Sequence, residues 1–231
     1  MSELMTPSDH AIDYAPARDR MVDGQVRPNK VIDPRVIQAM RRLPRERFVP
    51  GHLVSRAYAD EDVPLPNGRV LMEPMVIARL VQGLRARDGE TALVVAAGSG
   101  YGAALLAACG ARVTAVEDDA GLLAIARSVL PGLAPAVTVQ EGAPGAGWAA
   151  DGPYDLILLE GAVQAIPDAL IAQLKPDGRL ATVLAQPGGP GKGVLAEAVL
   201  VGDTKRVRSR AFFECATPML PQLLPRPAFT F

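Results

Sequence analysis

The sequence predicts an α/β fold, in which a doubly wound, mostly parallel sheet lies between two layers of helices. Three observations support this prediction. From Thr91 onward, short apolar runs alternate with helix-compatible segments, as in parallel sheets covered by helices on both faces. The first apolar run, 92–96, leads into the glycine turn Gly98-Ser99-Gly100. The second ends in Glu117, nineteen residues after Gly98.

The later elements follow from the same alternation. We predict strands over 92–96, 112–116, 136–140, 155–159 and 179–185, and helices over 102–109, 120–129 and 168–174. A loop is predicted over 187–191 because it holds three glycines and two prolines. Two apolar runs after it, 194–201 and 207–213, predict an antiparallel hairpin at the edge of the sheet, and the proline-rich tail 218–227 is expected to be extended.

The first part of the chain has a helical pattern instead. Helices are predicted over 18–26 and 34–42, the latter with Asp33 as N-cap and Pro34 at its first position. A turn-rich loop over 62–67 precedes a further amphipathic helix over 75–84. We therefore expect residues 1–60 to form an α-helical N-terminal extension that covers one end of the main unit, 61–231. Together they are expected to form a single domain.

Composition limits the class of protein. Of the 231 residues, 49% are hydrophobic and 21% are charged, and the net charge of −1 gives no reason to expect a nucleic-acid partner. Cys109 and Cys215 show neither a disulfide framework nor a metal spacing, which favours free thiols in a reducing cytoplasm and no metal. The uncharged run 91–111 is long enough to span a bilayer, but its central glycines favour strand, turn and helix. We expect a cytoplasmic protein without a membrane partner.

Glycines and acids mark the ends of four predicted strands. These pairs are Gly98/Gly100, Glu117/Asp118, Glu141/Gly142 and Glu160/Gly161. In a doubly wound sheet the carboxyl ends of neighbouring strands meet at one crevice, where ligands bind. An acid at the end of the second strand accepts hydrogen bonds from ribose hydroxyls. The pattern predicts a nucleoside site, although glycine and acid also cap strands without any ligand.

The charges near the turn indicate which nucleoside. No Lys or Arg occurs between 92 and 110, so a pyrophosphate or a nucleoside triphosphate lacks its usual basic partner. S-adenosylmethionine (SAM), a cationic nucleoside without phosphates, fits a site whose charges are acidic. The predicted cofactor-binding residues are Gly98, Ser99, Gly100, Tyr101, Glu117, Asp118, Glu141 and Gly142. Tyr101 and Trp148 are candidates to flank the adenine ring, and a core role is open for Trp148.

Several motifs resemble one family. They are Gly98-Ser99-Gly100-Tyr101, the strand motif over 155–162, the segments Ile166-Pro167 and 174–180, and the N-terminal stretches 45–50 and 57–58. From about Met21 to Lys175 the chain resembles the protein-L-isoaspartate (D-aspartate) O-methyltransferases, class I SAM-dependent methyltransferases. The resemblance implies a three-layer, Rossmann-like sheet of seven strands with an antiparallel strand at its end. It also implies SAM as cofactor and a carboxylate of a damaged protein as acceptor.

The chain departs from the family pattern at three places, as a divergent member would. Val70-Leu71-Met72 stands where the family has Thr-Ile-Ser in its substrate loop. Val94 stands where the first strand carries an acid, and Ala96 replaces the first glycine of the turn. A methyl group at Ala96 is unfavourable if the backbone there has a positive φ.

We therefore expect a SAM-dependent carboxyl O-methyltransferase that takes part in the repair of damaged aspartyl residues. Its acceptor is expected to be a protein or peptide carboxylate, and the chain a monomer or homodimer. The candidate catalytic residues are Met72, Glu73 and Glu160, and the candidate substrate-loop residues are Asn67, Val70, Leu71 and Pro74. Two alternatives stay open. In the first, the chain has the methyltransferase fold but a degenerate site, and acts as a binding or scaffold protein. In the second, it methylates a different acceptor.

Overall fold

A computed structural model describes residues 12–201 and 204–224. The first eleven residues, the centre of the predicted hairpin turn at 202–203 and the tail beyond 224 lie outside this range. Predictions for those segments stay predictions.

A seven-stranded sheet forms the centre of the described structure. Its strands are β3 (Thr91–Val95), β4 (Arg112–Glu117), β5 (Val137–Glu141), β6 (Tyr154–Val163), β7 (Leu174–Gln186), β8 (Gly189–Val201) and β9 (Thr204–Cys215). The spatial order is β5-β4-β3-β6-β7-β8-β9. The pairs from β5 to β7 are parallel, and β8 and β9 add antiparallel strands at one edge. This confirms the predicted fold class.

Six α-helices are described. They are α1 (Ala15–Met21), α2 (Pro34–Arg42), α3 (Pro74–Leu84), α4 (Tyr101–Ala108), α5 (Ala120–Leu133) and α6 (Asp168–Ala172). A π-helical turn, Val22–Val26, continues α1, and Asp33 caps α2 as predicted, because its side chain accepts from the N–H of Arg35. No described helix is long and apolar enough to cross a membrane. The uncharged run 91–111 forms β3, the glycine turn and α4.

Alternate residues of each central strand enter two separate cores. On β3, Ala92 and Val94 face the core that contains α3, α4 and the N-terminal helices, whereas Leu93 and Val95 face the core beneath α6. Burial on both faces is the reason why the central strands are almost wholly apolar. Met21 of the N-terminal segment belongs to the first core. That segment packs against α3 and α4, which lie on the sheet, and its division from the rest at residue 60 stays a prediction.

Four strands, β6 to β9, are several residues longer than predicted, and β7 begins at Leu174, within the segment 168–174 that was predicted to be helical. β6 continues through Glu160 and Gly161 to Val163 because, after a register shift, it pairs again with β7. β7 ends at Gln186 and β8 begins at Gly189, so the predicted loop over 187–191 shrinks to a two-residue turn and the prediction is wrong for 189–191. Further along β8, an aromatic ring covers the bare backbone of a glycine. A Cβ at Gly193 would lie 2.1 Å from the ring of Phe213.

A short segment lies across the carboxyl edge of the sheet. β1 (Val63–Pro64) pairs antiparallel with β2 (Val70–Leu71), and the connection between them contains Asn67 in a left-handed conformation, with φ of 56°. The segment 218–224 closes the same edge, where the N–H of Leu220 donates to the carbonyl of Ala162 at 2.8 Å. These two segments border the predicted nucleoside crevice.

Candidate active site

The glycine turn after β3 is buried, but it leaves free space beside its backbone at one position. Gly98 has φ of 57°, and a Cβ built there meets no atom within 4 Å. Gly100 also has positive φ, 94°, but a Cβ there would lie 2.7 Å from Leu130. Gly100 therefore allows α4 to approach α5, whereas Gly98 borders open space. A ligand can approach the main chain at Gly98.

Ala96 adopts the backbone conformation that the sequence analysis identified as unfavourable. Its φ is 53°, in the left-handed region, where an L-residue with a side chain pays about 1–2 kcal/mol. The methyl group is buried against the core beneath α6. Its carbonyl accepts a hydrogen bond from Arg69 at 2.6 Å, and the next residue, Ala97, donates to the carbonyl of Val116 at 3.0 Å. These contacts hold the turn in place despite the strain.

Glu117 is the buried anion of the crevice. Its side chain is 1% exposed. One oxygen, Oε2, accepts from the N–H of Gly98 at 2.6 Å, and Oε1 accepts from the N–H groups of Asp118 and Asp119 at 3.0 and 3.1 Å. The Nη1 of Arg69 lies 2.7 Å from the same Oε1. The end of β4 is thus joined to the glycine turn through one carboxylate, as the strand-end argument predicted.

Arg69 was missed by the sequence analysis. It lies immediately before β2, and its side chain is 2% exposed. Its guanidinium bridges the carboxylate of Glu117 and the carbonyl of Ala96. A single arginine in a loop, paired with an acid 48 residues away, carries no periodic signal that sequence reasoning can detect. The structure thereby places a cation where only acids were expected.

The predicted adenine side lies next to Glu117. Glu141 of β5 pairs in register with Glu117, and the N–H of Gly142 donates to the Glu117 carbonyl at 3.0 Å. The Glu141 side chain is 65% exposed and lies 3.5 Å from Arg127. The half-buried ring of Trp148 lies 3.5 Å from a Cβ built at Gly142. Both predicted positions therefore border the same edge of the sheet as Glu117.

The two aspartates after Glu117 have different surroundings. Asp119 caps α5 by accepting from the N–H of Leu122 at 2.9 Å, and it also accepts from the amide of Asn67 at 2.5 Å. Asp118 lies 3.9 Å from Arg69. Burial and the neighbouring Glu117 raise the pKa of the Asp118 carboxyl. Asn67, a predicted substrate-loop residue, is therefore attached to the nucleoside side of the crevice.

The side chains of Ser99 and Tyr101 are buried in the core, which leaves the expected backbone contact of Ser99 a prediction but argues against the Tyr101 ring beside the adenine. The Ser99 hydroxyl donates to the carbonyl of Phe48. The Tyr101 ring is 1% exposed and packs edge-on against the ring of Phe48 at 5.2 Å, with the guanidinium of Arg45 4.9 Å from its centroid. This occurs because the first turn of α4 packs on the helical turn Arg45–Phe48. Only the main chain of these two residues remains for a ligand.

Hydrogen bonds from the side chain of Arg45 hold the predicted substrate loop in place. This fully buried guanidinium donates to the carbonyls of Ala57 and Met72, at 2.7 and 2.5 Å. The Met72 side chain is 1% exposed, so it contributes to the core. Val70 and Leu71 form β2, and Pro74 is the first residue of α3. The loop therefore presents no hydroxyl where the family carries two.

Glu73 and Glu160, the two predicted catalytic acids, lie in different surroundings. The N–H of Glu73 donates to Asp62 at 2.7 Å, and burial, followed by the charges of Asp60 and Asp62, raises the Glu73 pKa. Glu160 is partly buried with its Oε1 closed off from solvent, and a Cβ built at Gly102 would clash with that oxygen. Glu160 feels the charge of Arg45, the residue that bonds the carbonyl of Met72.

Glu160 is a partly buried acid that keeps its proton. Burial raises its pKa to about 8, against the opposing effect of nearby Arg69. Among the described residues, none forms a hydrogen bond with its Oε1. At neutral pH the carboxyl group is therefore mostly neutral, and it lies beside the buried pair of Arg69 and Glu117.

Comparison with known proteins identifies the family. The model of the family described as protein-L-isoaspartate(D-aspartate) O-methyltransferase matches residues 17–189. A protein-L-isoaspartate O-methyltransferase of Methylorubrum extorquens is 42% identical over 184 residues, which cover 80% of this chain and 81% of that protein.

The chain belongs to the protein-L-isoaspartate O-methyltransferase family.

Two solved structures show the same fold. A protein-L-isoaspartate O-methyltransferase superimposes with a TM-score of 0.73 at 18% identity, over 89% of this chain and 67% of the other. A Plasmodium falciparum protein-L-isoaspartate O-methyltransferase, in complex with S-adenosyl-L-homocysteine, superimposes with a TM-score of 0.70 at 17% identity, over 91% and 99%. The predicted family, the methyltransferase enzyme class and SAM as cofactor are confirmed. At 42% identity to a relative, however, the chain is not the clearly divergent member that its three departures suggested. The roles assigned to individual residues stay predictions.

Proposed function

We propose that this chain transfers a methyl group from SAM to the carboxylate of an isoaspartyl residue in a damaged protein. The observation that carries the proposal is the crevice between the glycine turn and Glu117. Gly98 borders open space, and the buried Glu117 carboxylate joins the turn to the end of β4. An acid in this position is suited to accept hydrogen bonds from two ribose hydroxyls.

The residues of the crevice fit SAM. Glu117 would hold the ribose, the main chain at Gly98 would border the methionyl end, and Glu141 with Gly142 would lie beside the adenine. The acids Glu117, Asp118 and Glu141 tolerate a cationic ligand that lacks phosphates. When bound, SAM supplies an electrophilic methyl group with a neutral thioether as leaving group. The fit requires Arg69 to release at least part of the Glu117 carboxylate.

The acceptor carboxylate needs no general base. A carboxylate is already ionised at pH 7, so the protein has to bring it close to the methyl donor and align it. A second ionised acid nearby would repel the acceptor. Glu160, with its pKa raised to about 8, keeps a proton and avoids that repulsion. We assign Glu160 the role of a neutral acid in the acceptor region.

A methanol-release assay tests the proposed function. A peptide with one isoaspartyl residue is incubated with SAM and the protein, and methanol from hydrolysis of the methyl ester is measured. The same peptide with a normal aspartyl residue is the control. The proposal predicts methanol from the isoaspartyl peptide alone. Binding of S-adenosylhomocysteine without methanol from either peptide would contradict the proposed acceptor, and no binding at millimolar concentration would contradict the enzyme itself.

A different acceptor is the second candidate, because Val70 and Met72 stand in the loop where the family has hydroxyls. Met72→Ser restores one hydroxyl, and Met75→Ser makes the same change on α3, outside the loop. Met72 is buried, so the serine loses apolar burial and costs about 2–4 kcal/mol of stability. If only Met72→Ser gains activity on the isoaspartyl peptide, the natural acceptor differs from it. Equal activity in the wild type and Met72→Ser favours isoaspartyl repair.

Location and assembly are also proposals. Cys109 and Cys215 are buried free thiols, and burial raises the pKa of both, to about 11 for Cys109. Free thiols are usual in a reducing compartment, which supports the cytoplasm. We propose a protein or peptide carboxylate as the partner and a monomer or homodimer as the assembly.

A further inference from the structure

Arg69 forms an ion pair with the carboxylate of Glu117, which the cofactor needs for its ribose. Its Nη1 lies 2.7 Å from Oε1 of Glu117, and both side chains are at most 2% exposed. The other oxygen of Glu117 already accepts from Gly98 at 2.6 Å, and Oε1 also accepts from two main-chain N–H groups. Oε1 therefore accepts from three donors and has no position left, whereas the buried Oε2 accepts from one. Two ribose hydroxyls, one on each oxygen, can bind only if a donor leaves Oε1.

Arg69 is the donor that can leave most readily. The N–H groups of Gly98, Asp118 and Asp119 belong to the glycine turn and to the start of α5, so moving them would break the fold. Arg69 lies in the short segment over the crevice, outside the seven-stranded sheet. Other acids lie near its guanidinium. Asp118 is 3.9 Å away, and Glu160 has an unpartnered oxygen and feels the charge of Arg69.

We propose that Arg69 is a latch that competes with the cofactor for Glu117. The proposal rests on the proposed function, because it takes the ribose of SAM as the competitor. In the closed state, which is the one in this structure, the guanidinium of Arg69 is paired with the carboxylate of Glu117 and neutralises its charge. When the ribose hydroxyls bind Glu117, the guanidinium moves toward Asp118 and Glu160. Arg69 is thus a positioning residue that controls access to the cofactor site.

The latch connects the two halves of the active site. The carbonyl of Arg69 accepts from the N–H of Leu65 at 2.8 Å, and its N–H donates to Pro66 at 3.1 Å. Asn67, in the same turn, is bonded to Asp119 at 2.5 Å. Movement of Arg69 therefore shifts the turn that leads into the predicted substrate loop. Cofactor binding would rearrange this loop before the acceptor arrives, which favours an order with the cofactor first.

The test compares S-adenosylhomocysteine binding in the wild type and Arg69→Gln. Trp148 is the one tryptophan of the chain and lies against Gly142, so its fluorescence and isothermal titration give two independent values of Kd. Without the competing guanidinium, Arg69→Gln is expected to bind about tenfold or more tightly than the wild type. In stopped-flow fluorescence, the wild-type rate should saturate with ligand concentration because the latch must open. The rate for Arg69→Gln should rise linearly.

Two further variants separate a latch from a structural role. Arg69→Lys keeps the cation and should return Kd toward the wild-type value. Arg179→Gln removes another arginine from a partly buried pair, with Glu90 at 2.7 Å, and should leave Kd unchanged. Thermal unfolding confirms that each variant is folded, and Arg69→Met, which keeps the apolar stem, replaces Arg69→Gln if that variant does not fold.

The outcomes separate the latch from the proposed function. Tighter binding by Arg69→Gln, with rescue by Arg69→Lys, supports the latch. Unchanged or weaker binding, with a wild type that binds, overturns the latch and leaves the proposed function standing, because Arg69 would then hold Glu117 in place for the ribose. If neither the wild type nor the variant binds at millimolar ligand, the proposed function fails and the latch fails with it.

Discussion

Replacing Glu160 by glutamine should change how the stability of the protein depends on pH. The Oε1 of Glu160 is buried, and desolvation raises the pKa of this carboxyl from an ordinary value of 4.5 to about 8. This change makes the ionised form about 5 kcal/mol less favourable in the folded protein than in the unfolded chain. A glutamine side chain has nearly the same shape but no proton to release. The comparison therefore isolates the titration of one carboxyl group.

The sign of the effect follows from the proton count. Below pH 4.5 the carboxyl is protonated in both states, so the wild type carries no penalty. Between pH 4.5 and 8 the unfolded chain has released the proton while the folded protein still holds it. The unfolded state then binds fewer protons, and wild-type stability falls by about 1.4 kcal/mol per pH unit because of this group. The loss is complete above pH 8.

The assay is urea unfolding of the wild type and Glu160→Gln at several pH values. The free energy of unfolding of Glu160→Gln, relative to the wild type, should rise by about 3–4 kcal/mol between pH 5 and pH 8. Glu141→Gln is the matched control, because its carboxylate is 65% exposed, and its difference from the wild type should stay nearly constant. A flat difference for Glu160→Gln would refute the reasoning, because it would mean that Arg69 keeps Glu160 ionised in the folded protein.

Three further predictions follow from the surroundings of single residues. Ala96→Gly relieves a left-handed φ of 53°, so it should be about 1–2 kcal/mol more stable than Ala97→Gly in urea unfolding; equal losses would show that Ala96 is not strained. Arg45→Met leaves two buried carbonyls without a donor and should lose about 2–4 kcal/mol; unchanged stability would argue against that anchor. At Asp155, burial acts to raise the pKa, but hydrogen bonds from Lys175 and Thr91 lower it overall. Asp155→Asn should therefore lose about 1–3 kcal/mol at pH 7, with the deficit shrinking below about pH 4; a pH-independent deficit would contradict this.

The central part of the fold was predictable because its signals are local. Apolar runs buried on both faces predicted β3 and β4 to within one residue at each end, and the capping role of Asp33 was read from two adjacent residues. Glu117 was predicted as a site residue because the carboxyl ends of parallel strands meet at one edge. Each of these arguments uses residues that are close in sequence or that occupy the same position in successive strand–helix units.

Long-range contacts account for what the sequence did not predict. Arg69 pairs with Glu117 across 48 residues, and Arg45 reaches the carbonyl of Met72 across 27. Neither contact leaves a periodic pattern. The predicted strand began at Val194, whereas β8 includes Gly193, whose bare backbone is covered by the ring of Phe213 on the next strand. Tyr101 was assigned to the ligand because it follows the glycine turn, whereas its side-chain direction depends on how the Arg45–Phe48 turn packs.

The central claim is that the ends of β3, β4 and β5 enclose a phosphate-free adenosine. A crystal structure with S-adenosylhomocysteine tests it most directly. We predict both ribose hydroxyls on the Glu117 carboxylate, the adenine beside Glu141 and Gly142, and the guanidinium of Arg69 moved off Glu117. Ligand density elsewhere on the molecule, with Arg69 still bound to Glu117, would contradict the account.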